Sequence, residues 1–211
     1  MKKLCWLLLA APLTANILPM PQIVRSGAAS AEFPKSQPIT IVIGNASDRQ
    51  AGIAADLLTR ELKGFRIERS TVRPQSGSVI VLWNCATQGM PASTSASDRE
   101  LLRAESHFGQ SYLLQTDAHE VRIAGSTGVG LLYGAATLVQ LMQPTASGMQ
   151  VPGTVIQDFP SFRYRAASDW VLRAELNRWA YDWGDGQRAY TERIRRKLDF
   201  CLRFKIAATR F

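Results

Sequence analysis

The sequence has 211 residues, of which 46% are hydrophobic and 20% charged, with a formal net charge of +8. A chain of this size buries roughly 70% of the surface its unfolded form exposes, and the composition excludes full disorder, a collagen-like repeat and a disulfide-dense miniprotein. The positive excess is uneven, because residues 1–31 carry Lys2, Lys3 and Arg25 and no acid.

That first stretch has the layout of an export signal. Lys2 and Lys3 give a positive start, Leu4 to Ala11 is an apolar run, and Pro12 ends it. The run is too short to span ~30 Å of hydrocarbon. Ala29-Ser30-Ala31 offers a small-residue cleavage pattern, and Leu13-Thr14-Ala15 an earlier one. The expectation is a signal peptide over 1–31 and a secreted or periplasmic product, with an uncleaved membrane anchor as the alternative. No later stretch is long and apolar enough to cross a bilayer, so no stable membrane span is expected after cleavage.

Glu32 to Pro38 reads as a connector. Ile39 to Ile43 is β-branched and reads as a strand ended by Gly44. Asp48 is placed to cap a helix running to about Lys63, with Ile53, Leu57 and Leu62 near one face and Gly64 as its stop. Phe65 to Arg69 alternates and predicts a half-exposed strand. Val79 to Trp83 predicts a buried one. Thr87 to Ser97 reads as a loop, and Asp98 to Glu105 as a short helix.

Ser111 to Thr116 and Glu120 to Ala124 flank the turn Asp117-Ala118-His119 and predict an antiparallel hairpin. A helix is expected from about Val129 to Met142, with Leu131, Ala135, Leu138 and Met142 in period and Pro144 beyond it. Strands and helices mixed with a hairpin favour an α+β fold over a regularly alternating parallel sheet. Beyond Val155 the composition turns to arginine and aromatics. Arg165 to Leu172 has room for a strand. Ala189 to Phe204 predicts an amphipathic helix with a basic face, and Lys205 to Phe211 the start of another strand.

Few of the chemical motifs are complete. The histidines are His107 and His119. His119-Glu120 begins the pattern His-Glu-x-x-His, but Ile123 stands where the second histidine belongs, so no metal site and no cofactor is implied. Gly128-Val129-Gly130-Leu131-Leu132-Tyr133-Gly134 misses the dinucleotide spacing by one residue, and a tight strand-to-helix turn with close packing is the reading preferred over phosphate binding. The basic helix reads as a solvated face, with no nucleic-acid partner expected. Asp182-Trp183-Gly184-Asp185-Gly186 lacks the distal glutamate of a calcium loop and reads as a turn. Cys85 and Cys201 lie among apolar neighbours and are expected to be buried free thiols.

Two blocks carry a more specific pattern. The first is Gln110-Ser111-Tyr112-Leu113-Leu114, then Val121-Arg122-Ile123, then Gly128 through Tyr133-Gly134 to Thr137-Leu138-Val139-Gln140-Leu141. The second is Val151-Pro152, Ile156, Asp158-Phe159-Pro160-Ser161-Phe162 and Arg165. Together they resemble the non-catalytic N-terminal domain of the β-N-acetylhexosaminidases of glycoside hydrolase family 20, and its junction with the catalytic barrel. Families 67 and 84 carry similar leading domains. The resemblance implies a zincin-like β-sheet with packed helices over residues 36–155, without the zinc. It implies an incomplete start of a (β/α)8 barrel over 160–211: a first strand, a helix and the start of a second strand.

The resemblance also implies a substrate class, N-acetylhexosamine-containing glycans, should the barrel be complete. Arg165 matches the family arginine that hydrogen-bonds hydroxyls of the terminal sugar, and a planar guanidinium with fixed donors suits that task. The family follows this arginine with glycine, whereas Ala166 stands here. The family's catalytic pair is an adjacent Asp-Glu, the glutamate as acid and the aspartate orienting the substrate acetamide. The sequence contains no adjacent Asp-Glu, and a complete barrel needs about 250 residues. No catalytic residue is therefore assigned. The expected product is an inactive N-terminal fragment of an exported glycosidase acting in carbohydrate metabolism. A stand-alone carbohydrate-binding or accessory module is the alternative, and an exported surface-binding protein unrelated to glycans a third reading.

Overall fold

The β-branched run Ile39–Ile43 (β3) is paired on both edges and buried at four of its five residues, which is why it reads as unbroken apolar sequence. It lies within a seven-stranded mixed sheet. The computed structural model describes residues 17–167, 185–206 and 208–209. The other strands are β1 Ile23–Ser26, β2 Ala31–Pro34, β4 Ile67–Ser70, β5 Ser78–Asn84, β6 Tyr112–Asp117, β7 Glu120–Gly125, β8 Gln143–Pro144, β9 Gly148–Val151, β10 Thr154–Asp158, β11 Ala166–Ala167 and β12 Ala208–Thr209. The helices are α1 Arg49–Glu61, α2 Cys85–Gln88, α3 Ala96–Arg103, α4 Gly128–Leu141 and α5 Asp185–Arg203.

The large sheet has the order β1-β10-β6-β7-β5-β3-β4. From β1 to β7 its neighbours are antiparallel, and from β7 to β4 they are parallel. The expected hairpin is β6–β7, in register Leu114↔Ile123. The α+β class holds, and half of the sheet is parallel because α1 carries the chain from β3 across to β4. A small antiparallel sheet, β2-β9-β8, accompanies the large one.

Helices α1 and α4 pack on one face of the large sheet. Leu58, Leu131, Leu138, Ile41, Ile80, Leu82 and Ile123 are withdrawn from water there and form the main core. Asp48 caps α1 as expected, its carboxylate accepting from the N–H groups of Gln50 and Ala51, both at 3.0 Å. Helix α4 is apolar nearly all round because the sheet, α1 and α5 all touch it. A second cluster on the opposite face joins Leu101 and Leu102 of α3 to Leu113 and Ala124. Helix α3 begins before the expected Asp98, because the Ser95 hydroxyl accepts from the Asp98 N–H at 3.1 Å. The expected loop from Thr87 overlaps the short helix α2.

The expected N-terminal boundary is corrected. Ile17 is buried. The Leu18 N–H donates to Gln140 Oε1 at 2.7 Å, and its carbonyl accepts from Gln140 Nε2 at 2.9 Å. Strand β1 then pairs with β10 from Ile23↔Gln157 to Ser26↔Thr154. Ala31 and Phe33 of β2, in the expected leader and connector, are fully buried against the core. The leading domain therefore includes residues from Ile17 onward, and the division at residues 31 and 36 falls inside it. Residues 1–16 lie outside the described residues.

Beyond the leading domain, β11 and β12 pair in parallel, Ala166↔Ala208 and Ala167↔Thr209, with α5 between them in sequence. The expected strand over Arg165 to Leu172 is described only as far as Ala167. The Asp182-Trp183-Gly184 part of the expected turn lies outside the described residues.

Candidate functional site

The site lies where the two blocks of motif residues meet. Strand β10 ends in Asp158, directly opposite Tyr112 at the start of β6. Helix α4 presents Thr137, whose hydroxyl lies 2.6 Å from the Tyr112 hydroxyl. Into this corner comes Lys205 from the end of α5. Its ammonium donates to Asp158 Oδ2 at 2.7 Å and to the Tyr112 hydroxyl at 2.9 Å. The other Asp158 oxygen accepts from the Gln22 N–H at 3.2 Å. Lys205, Tyr112, Asp158 and Thr137 are all buried.

Lys205 also ends α5. The Ile206 N–H donates to the Cys201 carbonyl at 2.8 Å and the Lys205 N–H to the Leu202 carbonyl at 3.0 Å, the paired bonds of a Schellman motif. Lys205 occupies its left-handed position, with φ 54°. Glycine is the usual residue there, and a side chain costs about 1–2 kcal/mol. The bonds at the far end of the lysine hold it in place. Burial lowers the Lys205 pKa; the Asp158 carboxylate opposes that shift and the nearby Arg165 charge adds to it. Burial, with the Asp158 charge beside it, raises the Tyr112 phenol well above its ordinary value.

Arg165, the residue expected to meet a sugar, is placed next to this corner. Its Nε donates to the Lys205 carbonyl at 2.7 Å, Nη1 to the Phe162 carbonyl at 3.2 Å and Nη2 to Gln110 Oε1 at 2.9 Å. The guanidinium carbon lies 5.2 Å from the centre of the Tyr133 ring. Burial raises the Tyr133 phenol, and the arginine charge offsets part of the rise. Three N–H donors of Arg165 thus meet described protein groups, and its guanidinium also hydrogen-bonds Tyr133. Arg165, Lys205, Tyr133, Gln110 and Phe162 line a cavity of about 220 Å³. The sequence reading singled out Arg165, held Asp158 only as part of a motif, and missed Lys205, whose position no glycine signals.

The remaining motif residues fall into structural places. His119 is in the β6–β7 turn, and Glu120 and Ile123 are on β7, a strand, where the helical spacing of a zinc motif has no meaning. Among the described residues, no group of three or more histidine, cysteine or acidic side chains is arranged to hold a metal. The glycine segment packs α4 onto the sheet: a Cβ on Gly130 would strike the Ser111 carbonyl, and one on Gly134 the Ile123 and Tyr112 side chains. On α5, Arg195 and Arg196 are exposed, while Arg203 meets Glu61 at 2.7 Å and Asp199 meets Arg60 at 3.1 Å. Leu198 and Phe200 of the same helix are also exposed. Cys85 and Cys201 are free and buried, and burial pushes the Cys85 thiol up to about 11.

Comparison with known proteins adds a family. The description glycosyl hydrolase family 20, domain 2, matches residues 14–159. A β-hexosaminidase of Vibrio furnissii is 40% identical over 55 residues, 26% of this chain and 9% of that protein. A β-hexosaminidase of Porphyromonas gingivalis is 31% identical over 104 residues, 46% of this chain and 12% of that protein. The fold is similar to that of a family 20 exo-β-N-acetylglucosaminidase from Vibrio harveyi, solved as an inactive mutant. The TM-score is 0.61 at 19% identity, over 92% of this chain and 24% of the other. The chain thus matches only a small part of the length of these proteins.

Proposed function

Since the chain belongs to glycosyl hydrolase family 20 through the domain at residues 14–159, we propose that it is the N-terminal part of an exported β-N-acetylhexosaminidase-like glycosidase acting on N-acetylhexosamine-containing glycans. The observation that carries this reading is the junction. A parallel strand–helix–strand unit, β11-α5-β12, is anchored on the family domain through Lys205 and Arg165. Parallel strands joined by a helix are the repeating unit of a (β/α)8 barrel. The exposed Leu198 and Phe200 fit an outer helix awaiting further neighbours. Arg165 lines the cavity beside Tyr133 and Gln110, in keeping with a sugar hydroxyl ligand once barrel walls surround it.

In this reading the chain alone does not hydrolyse. Departure of an aglycone needs a proton donor, and the acetamide-assisted route needs a second fixed carboxylate. No adjacent Asp-Glu is encoded. The test is purified protein with a chromogenic N-acetyl-β-glucosaminide, beside an Arg165→Ala control. No turnover is expected from either. Turnover that vanishes in the control would overturn the reading. Coding sequence beyond Phe211 that adds an adjacent Asp-Glu would support it.

Export belongs to the same proposal, with a revised processing point. Cleavage after Ala31 would remove β1 and the buried Ile17, whereas cleavage after Ala15 leaves every described hydrogen bond in place.

A further inference from the structure

The outer face of the large sheet carries a groove that the junction does not use. It has a volume of about 290 Å³, near the lower bound of about 300 Å³ for small-ligand clefts, which suits a single ring. Strand register builds it: Val81, Arg122 and Gln115 form one cross-strand row, and Trp83 is one step along β5 on the same face. All four side chains are half-buried, so each is supported by the fold and open on one side. Trp83 is fixed by its indole N–H, which donates to the Gly89 carbonyl at 2.7 Å.

One edge of the groove is ionic. Glu120 is buried, with Arg73 at 2.6 Å and Arg122 at 3.2 Å from its two oxygens. These ion pairs hold the Glu120 carboxylate and the Arg122 guanidinium in place at the groove edge.

We propose that this groove binds one pyranose ring of a glycan. An indole wall meets the apolar face of a sugar, and the Gln115 amide and Arg122 guanidinium supply planar donors and an acceptor for its hydroxyls. A peptide strand is disfavoured, because β5, β6 and β7 are each paired on both edges and offer no free edge for strand addition. The choice of sugar to test rests on the family reading above; the groove chemistry does not.

The experiment titrates the 211-residue chain with N,N′-diacetylchitobiose, followed by amide chemical shifts and ligand saturation transfer. Saturable binding is expected, with shifts on the outer-face rows of β5, β6 and β7. Trp83→Ala should weaken binding about tenfold. Gln115→Ala, a surface change that leaves packing intact, should weaken it severalfold. Absence of saturable binding, shifts confined to the Arg165 cavity, or wild-type binding by both variants would overturn the proposal. None of these results bears on the chromogenic assay, so the two readings fail separately.

Discussion

Lys205 Nζ lies 2.7 Å from Asp158 Oδ2, and both residues are buried. This pair crosses from the end of α5 to the end of β10, so it ties the β11-α5-β12 unit to the family domain by a charge in each. Removing one partner of such a pair leaves the other uncompensated, at a cost of about 3–5 kcal/mol. Lys205→Met should therefore lower stability by about that amount, read as a shift in urea midpoint. The double variant Lys205→Met/Asp158→Asn should recover part of the loss, because the stranded carboxylate is gone. Strict additivity of the two single changes would show that the pair is uncoupled.

Asp48 is a second hub, and its prediction is one of pH. Burial favours its neutral form, but hydrogen bonds from Thr87, the Ala51 N–H, Asn84 and the Gln50 N–H together hold its pKa below the usual carboxylate value. A depressed folded pKa contributes stability that is present above the unfolded value of about 3.9 and is lost as pH falls through the folded one. The stability gap between wild type and Asp48→Asn should be widest near neutrality and shrink below about pH 4. Asp48→Ala, which also removes the cap, should cost about 1–2 kcal/mol from that cause alone. Chemical denaturation at several pH values checks both.

Two glycines test the packing of the helices. Gly130 faces the Ser111 carbonyl so closely that an alanine must push α4 from the sheet, and such overpacking typically costs about 1–3 kcal/mol. Gly52, inside α1, has nothing within 4 Å of an added Cβ. Gly52→Ala should stabilise by roughly 0.5–1 kcal/mol through helix propensity. Melting temperatures of the two variants should move in opposite directions.

The helices and the hairpin were legible because each carries its signal locally. Asp48 announces α1, alternation announces β7, and the glycines opening α4 read correctly as close packing. What escaped depends on partners distant in sequence. Strand β1 is short and mostly exposed, and only its register with β10 makes it a strand. Strand β10 was read as a change of composition because its pairing with β6 is long-range. The candidate site was partly legible: the motif gave Arg165 as a site residue and contained Asp158 without assigning it a role. Lys205 adopts a left-handed turn usually marked by glycine, so nothing local distinguished it from any other lysine. Trp83 was read as part of a buried strand, although alternation along β5 leaves it on the outer face.

The revised processing point makes a prediction of its own. If the chain is exported and cleaved, N-terminal sequencing of the mature protein should begin at Asn16, with the β1–β10 pairing intact. A product beginning at Glu32 would refute the processing point while leaving export standing. A product that keeps Met1 would refute cleavage itself.

Gln22, next to β1, is bonded to Asp158 across 136 residues of sequence. Long-range closure of this kind is entropically slow and follows local structure. During synthesis the hairpin and α4 are complete before β10 exists, so β1, made earlier than either, finds its place only after them. Until it does, β10 keeps one row of unpaired amides and carbonyls, a template for any passing strand. A helper that holds the nascent chain extended would protect this edge, and translocation in an unfolded state would postpone its exposure to the far side of the membrane.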